Sequence, residues 1–169
     1  MPPVYDPEAV RPMWEELQAV GIEPLATPEA VEDWMDDDTT GLMVINSVCG
    51  CAAGSCRPGV MVALQHTRIP DRLATVFAGI DTEAVAKVRS YLPYAPSSPN
   101  VILFKGRKPV FAMQRAHIET MTPAMVAEQL CAAFDEHCTR PGPSISPEEF
   151  QRIIPVQECG SSIPLYPGD

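Results

Sequence analysis

Val44-Ile45-Asn46-Ser47-Val48-Cys49-Gly50-Cys51-Ala52-Ala53-Gly54-Ser55-Cys56-Arg57-Pro58 is an apolar run that breaks at two cysteines separated by one glycine and then resumes with helical spacing. Leu42 to Ile45 is a continuous apolar stretch bounded by turn signals, which reads as a buried strand. Past the break, Val60, Met61, Ala63 and Leu64 recur at the spacings of one helical face. The cysteine pair therefore falls where a strand ends and a helix begins. Unpaired backbone N–H groups and the positive end of the helix dipole favour an anion there. A thiol in that position loses its proton more easily, and the thiolate is the reactive form. The stretch reads as a redox site.

A nucleophilic thiol attacks a disulfide through a mixed-disulfide intermediate, which a second nearby thiol resolves. Cys49 and Cys51 fit this division of labour, with Gly50 expected to let the backbone bend between them. The small ring they would close is strained, so the pair is expected to be a labile couple. Cys56 lies two helical turns beyond Cys49, about 10 Å along the axis, too far for a bond without unwinding. A second reading makes Cys49, Cys51 and Cys56 the ligands of a soft metal ion. Against it, His66, His117 and His137 fall on different elements and complete no four-ligand set. Cys131 and Cys138, within the last long helix, read as packing residues.

Working outward, Asp6-Pro7-Glu8 and Thr27-Pro28-Glu29 are helix starts, each with a capping side chain and proline in the first turn. Val10, Met13, Trp14 and Leu17 form the apolar stripe of the first helix, and Gly21 stops it. Pro24 keeps the short run Ile22 to Ala26 at a sheet edge. The helix after the cysteines is expected to span about four turns to His66, kinked at Pro58. Leu73 to Ala78 is a strand, and Asp81 or Thr82 caps a helix carrying Ala84, Val85, Val88 and Leu92. Asn100 to Lys105 and Pro109 to Gln114 flank Gly106-Arg107-Lys108 as a β-hairpin. Thr122-Pro123 opens a last core helix, with Met125, Val126, Leu130, Ala133 and Phe134 on its buried side. Helices alternating with strands, closed by a hairpin, define an α/β layered domain whose sheet has an antiparallel element. Thr139 to Pro143 reads as a linker. Beyond it, Ser146-Pro147-Glu148-Glu149 is a capping box. Phe150, Ile153 and Ile154 are expected to dock a short helix on the domain, since such a helix does not persist alone.

Composition narrows the function. The 169 residues carry 12 basic and 22 acidic side chains, a net charge of −10 that disfavours nucleic-acid partners. No apolar run reaches the roughly 18 residues of a membrane span. The first residues lack the basic start and apolar core of a secretory signal, so the expected location is the cytoplasm. Six cysteines in such a chain point to catalysis or metal binding rather than to a disulfide framework.

The stretch Asn46 to Gly54, followed by Arg57-Pro58, closely resembles the active-site signature of the bacilliredoxins, thioredoxin-like bacterial proteins with a Cys-Gly-Cys site. Thr75 to Gly79, Ser97-Ser98-Pro99, Leu103 to Gly106 and Ala133 to Cys138 match as well, so the resemblance covers about Tyr5 to Cys138. It implies a thioredoxin-like three-layer α/β sandwich over 1–138, with a mixed central sheet, a C-terminal hairpin and an extra N-terminal helix. The extension, 139–169, is expected to pack on that domain. The resemblance also implies removal of bacillithiol from S-bacillithiolated proteins. Cys49 would attack the mixed disulfide and take up the bacillithiol, and Cys51 would resolve it, with weak disulfide isomerase activity alongside. Ser98 and Pro99 would contact the substrate, Pro99 matching the cis-proline that faces the active site in thioredoxin-like folds. No cofactor is implied. Bacillithiol or a similar low-molecular-weight thiol is the co-substrate, and the partners are thiolated client proteins and that thiol or its reductase. Two cysteines depart from the common pattern and are candidate accessory thiols: Cys56, where many members carry another residue, and Cys159 in the extension.

Overall fold

The structure, a computed structural model, describes residues 2–153 and 164–168. Helix α1 (Pro7–Ala19) starts where the Asp6 carboxylate accepts a 3.0 Å hydrogen bond from the Glu8 N–H. It leads to the edge strand β1 (Glu23–Pro24) and to α2 (Pro28–Met35), capped by Thr27. The central strand β2 (Thr40–Asn46) is buried along its whole length. A π-helical turn, Ala52–Cys56, follows the cysteine pair and runs directly into α3 (Arg57–Ala63). Next come β3 (Arg68–Ile69), β4 (Arg72–Phe77), α4 (Thr82–Arg89), and the hairpin of β5 (Asn100–Lys105) and β6 (Lys108–Met113). A short helix α5 (Arg115–Ile118), the long α6 (Pro123–His137), β7 (Arg140–Pro141) and α7 (Pro147–Gln151) complete the described elements.

The main sheet has the order β1-β4-β2-β5-β6, with β1, β4 and β2 parallel and β5 and β6 antiparallel to their neighbours. Side chains alternate across β2, so it feeds two cores. Leu42 and Val44 join Leu103, Val60, Leu64, Leu130 and Phe134 beneath α3 and α6. Met43 and Ile45 join Val76, Ile102, Val31, Val85 and Val88 beneath α2 and α4. The result is the thioredoxin-like three-layer sandwich, with a mixed sheet, a closing hairpin and α1 added at the N-terminus. A third cluster, Val10, Met13, Val48 and Phe77, packs α1 against the carboxyl ends of β2 and β4. That is the end of the sheet from which the cysteines emerge.

Three expectations need correcting. The helix after the cysteines is not one kinked rod. Pro58 has no N–H to offer Gly54, and the Arg57 N–H bonds to the Ala52 carbonyl five residues back. Pro58 thus falls in the first turn of α3, where a missing N–H costs nothing. Met125 is 44% exposed, and Ala127 takes its place on the buried face of α6. The stretch Thr139 to Pro143 is no loose linker: β7 pairs antiparallel with β3, and the Gly142 N–H and Ser144 N–H bond to Thr67 and Leu64 carbonyls at 2.9 Å each. The backbone approach there is so close that a Cβ on Gly142 would stand 1.9 Å from the His66 carbonyl oxygen.

Beyond β7, Ser146 caps α7, and Phe150 and Ile153 pack against the core beside Pro58, Met61 and Val62. Ile154 and Cys159 lie outside the described residues. Residues 164–166 are described again beside the N-terminus: the Asp6 N–H bonds to the Pro164 carbonyl and the Tyr166 N–H to that of Val4, both at 3.0 Å.

Helix α3 meets α6 at Gly59, where an added Cβ would come within 2.6 Å of the Val126 side chain. Alanine favours a helix over glycine by about 0.5–1 kcal/mol, whereas overpacking a core costs about 1–3 kcal/mol. Overpacking should win: Gly59→Ala is expected to lower the melting midpoint by several degrees. An unchanged or raised midpoint would show that α3 and α6 separate freely.

Candidate active site

The site is built at the end of β2. Asn46 is fully buried, and its side-chain oxygen accepts from the Ser47 N–H at 2.8 Å, while its amide donates to the Met13 carbonyl at 3.1 Å. Arg57, also fully buried, reaches back from the start of α3. Its Nη1 donates to Asn46 Oδ1 at 3.1 Å and to the Ser47 carbonyl at 2.9 Å, and its Nε to Glu16 Oε1 at 2.7 Å. A buried ion pair thus ties together α1, the end of β2 and the first turn of α3, on either side of the cysteines. The Cys49 N–H then donates to Ser47 Oγ at 3.2 Å, and Ser55 Oγ fastens the π-helical turn to the Met121 carbonyl at 2.6 Å.

Cys49 and Cys51 are both free thiols, and their sulfurs are 2.8 Å apart. Both are half-buried, so exposure does not separate them; acidity does. Burial alone would raise the Cys49 thiol. The hydrogen bonds from Cys51, from Ser47 and from the Ala52 N–H, with the positive Arg115, outweigh it and leave Cys49 below the ordinary cysteine range. Cys51 is pushed up to about 11 by burial, by its hydrogen bond to Cys49 and by the charge there. Cys49 is therefore the thiol that ionises more easily, and its neighbour holds a proton that stabilises the anion. Gly50 is not in the left-handed region, and a Cβ there would meet nothing within 4 Å. The bend between the cysteines does not require glycine, whose exposed position leaves the approach to the sulfurs open.

Cys49 lines a cleft of about 290 Å³ with Ser47, Val48, Gly79, Ser98 and Arg115. The Ser98–Pro99 bond is cis, and Arg115 Nη1 donates to the Ser98 carbonyl at 3.4 Å. Tyr5 and Val4 form another wall, and the Val4 N–H bonds to the Gly79 carbonyl. Cys56 is fully buried and its thiol is pushed by burial up to about 12, which leaves it neither an exposed nucleophile nor an available thiolate ligand. Burial likewise raises the thiols of Cys131 and Cys138, the latter to about 11. Among the described residues no three His, Cys, Asp or Glu side chains gather as a metal site. No helix among them is long and apolar enough to cross a membrane.

Three functional residues escaped the sequence reading. Glu16 carried a signal, an acid on the apolar stripe between Met13 and Leu17. Arg57 stood inside the quoted stretch with no role assigned. Arg115 carried none, because only the fold of the hairpin returns it to the cysteines.

A half-buried dithiol with one acidic sulfur, at the end of the central strand of a thioredoxin-like sheet, defines a thiol–disulfide oxidoreductase site. The sequence comparisons agree. The sequence profile of a family described as "Disulphide isomerase" matches residues 5–138. A bacilliredoxin of Cytophaga hutchinsonii is 49% identical over 134 residues, covering 79% of this chain and 99% of its own. A bacilliredoxin of Salinibacter ruber is 43% identical over 167 residues, covering 88% of this chain and 98% of its own. The solution structure of the thioredoxin-like domain of Arabidopsis NCP superposes with a TM-score of 0.49 at 17% identity, covering 88% of this chain and 93% of that one. The chain belongs to the bacilliredoxin family.

The buried ion pair gives a direct test. Arg57→Met leaves the Glu16 carboxylate buried beside an uncharged side chain, which typically costs about 3–5 kcal/mol. Adding Glu16→Leu should restore much of that stability, because an apolar replacement of a buried pair is often neutral. The double variant still leaves the Ser47 carbonyl and the Asn46 side chain without their guanidinium. Its Cys49 should alkylate several-fold more slowly at neutral pH. A double variant as reactive as the wild type would show that the clamp serves stability alone.

Proposed function

We propose that the chain reduces mixed disulfides between proteins and a low-molecular-weight thiol of the bacillithiol type, in the bacterial cytoplasm. The observation that carries this reading is the asymmetry of the two adjacent thiols. The Cys49 thiolate attacks the mixed disulfide and takes up the small thiol, and the client protein leaves as a free thiol. Cys51, 2.8 Å away, then attacks Cys49, releases the small thiol and closes an internal disulfide. A small thiol or its reductase returns that disulfide to the dithiol. Ser98 supports the reading by bordering the cleft beside Cys49, where an incoming disulfide would lie. No bound cofactor takes part in this cycle. Cys56 takes no part either, and Cys159 would join only as an accessory thiol. Shuffling of wrongly paired disulfides is a weaker side activity of the same first step.

The test uses a client protein carrying one bacillithiol mixed disulfide. Cys49→Ser should abolish release of the client, whereas Cys51→Ser should release it once and stop with the small thiol on Cys49. Equal residual turnover in the two variants would overturn the assignment.

The first step should also follow the protonation state of Cys49. Its rate rises with pH as the thiolate forms and levels off below the pH at which an ordinary cysteine, near 8.5, would do so. Removing the Cys51 hydrogen-bond donor moves that profile to higher pH in Cys51→Ala. A profile unmoved by the substitution would remove Cys51 from the activation of Cys49.

A further inference from the structure

Arg115 is the one cation among the described residues lining the cleft at Cys49, in a protein whose net charge is −10. It stands at the start of α5 and is 49% exposed. Its side chain borders the cleft at Cys49 on one side and a second cleft of about 320 Å³, with Ser97, Gln114 and Glu119, on the other. Each space is near the lower end of the volumes that hold small molecules. The guanidinium is held lightly: Nη1 to the Ser98 carbonyl at 3.4 Å, and Nε to the Glu119 carboxylate at 3.8 Å, beyond hydrogen-bond length. Such an exposed ion pair contributes little. Most of the guanidinium's N–H donors are thus available to a carboxylate, which their planar fork matches.

A mixed disulfide offers Cys49 two sulfurs, and the proposed cycle works in one orientation only. Attack on the small-thiol sulfur frees the client, whereas attack on the client sulfur leaves the client covalently bound to the enzyme. Which sulfur is attacked decides the outcome of thiol–disulfide exchange. Resting on the function proposed above, we propose that Arg115 selects the sulfur by seating a carboxylate of the low-molecular-weight thiol beside Cys49. The bond formed is then Cys49 Sγ to the small-thiol sulfur. The bond broken is the original disulfide, and the client sulfur leaves with the electron pair and takes a proton from water. No outside oxidant or reductant enters this step. The substrate class that follows is a disulfide whose small half is a carboxylate-bearing thiol. The same guanidinium helps hold Cys49 ionised, so its loss slows every substrate and only relative rates report selection.

The experiment uses the full chain carrying Cys51→Ser, which stops after the first step. A client peptide is supplied as its mixed disulfide with mercaptosuccinate (anionic), 2-mercaptoethanol (neutral) or cysteamine (cationic), and the adduct on Cys49 is weighed by mass spectrometry. The anionic disulfide is expected to react fastest and to leave almost only the small thiol on Cys49. Adding Arg115→Gln should lower the anionic-to-neutral rate ratio about tenfold, the order of one charge-assisted hydrogen bond, and let Cys49–peptide adducts appear. Arg115→Lys should retain part of the ratio and lose part of the orientation. An unchanged ratio and product split in Arg115→Gln, or reaction of all three disulfides with no charge preference, would overturn the role of Arg115 alone. Failure of all three disulfides to react with Cys49 would overturn the function and this role together.

Discussion

A guanidinium buried inside an α/β sandwich constrains everything around it. Burying a charge costs several kcal/mol unless it is paired and hydrogen-bonded. Arg57 meets that requirement through Nε and Nη1, with Glu16 from α1, the Asn46 side chain and the Ser47 carbonyl, while Nη2 has no hydrogen-bond partner among the described residues. These partners lie on both sides of the cysteine pair in sequence, so satisfying the charge closes the loop that carries the pair. The N-terminal helix is therefore part of the site although no residue of it touches the sulfurs in the described contacts. Its carboxylate holds the arginine, and the arginine holds the end of the strand.

Chemistry follows from that geometry. Two equivalent thiols side by side would share one proton without preference. Here the Ser47 hydroxyl, the Ala52 N–H and Arg115 favour the anion on Cys49, and burial with the neighbouring charge keeps the proton on Cys51. The environments of two chemically identical side chains thus differ in the sense that the proposed attacking and resolving roles require. The third nearby thiol, Cys56, faces the core, where no hydrogen bond or cation compensates burial enough to ionise it.

Much of this was legible in the chain itself. The continuous apolar run of β2, the capped starts of α1, α2, α6 and α7, and the hairpin carry local signals that tertiary packing reinforces. So did the cysteine pair at the strand–helix junction, where backbone N–H groups and the helix dipole pointed to an acidic thiol, while the contributions of Ser47, Cys51 and Arg115 did not show. What escaped depends on contacts between distant segments. β3 and β7 are two-residue strands with no periodicity of their own, and they exist because Gly142 permits a close backbone approach. The π-helical turn was signalled by Pro58, but a kink and a changed hydrogen-bond register look alike in sequence. Arg115 reaches the cleft through the hairpin's fold, and the Glu16–Arg57 pair spans 41 residues. An acid on an apolar stripe shows that a partner is needed but does not name it.

The central claim is that the clamped end of β2 makes Cys49 the reactive thiol of this protein. Competitive alkylation of the native, fully reduced chain at neutral pH, with peptide mapping of the label at low conversion, tests it most directly. The account predicts that label enters Cys49 well ahead of Cys51 and Cys131, and that Cys56 and Cys138 stay unlabelled until the protein is unfolded. Label entering Cys51 first, or Cys49 no faster than Cys131, would contradict it.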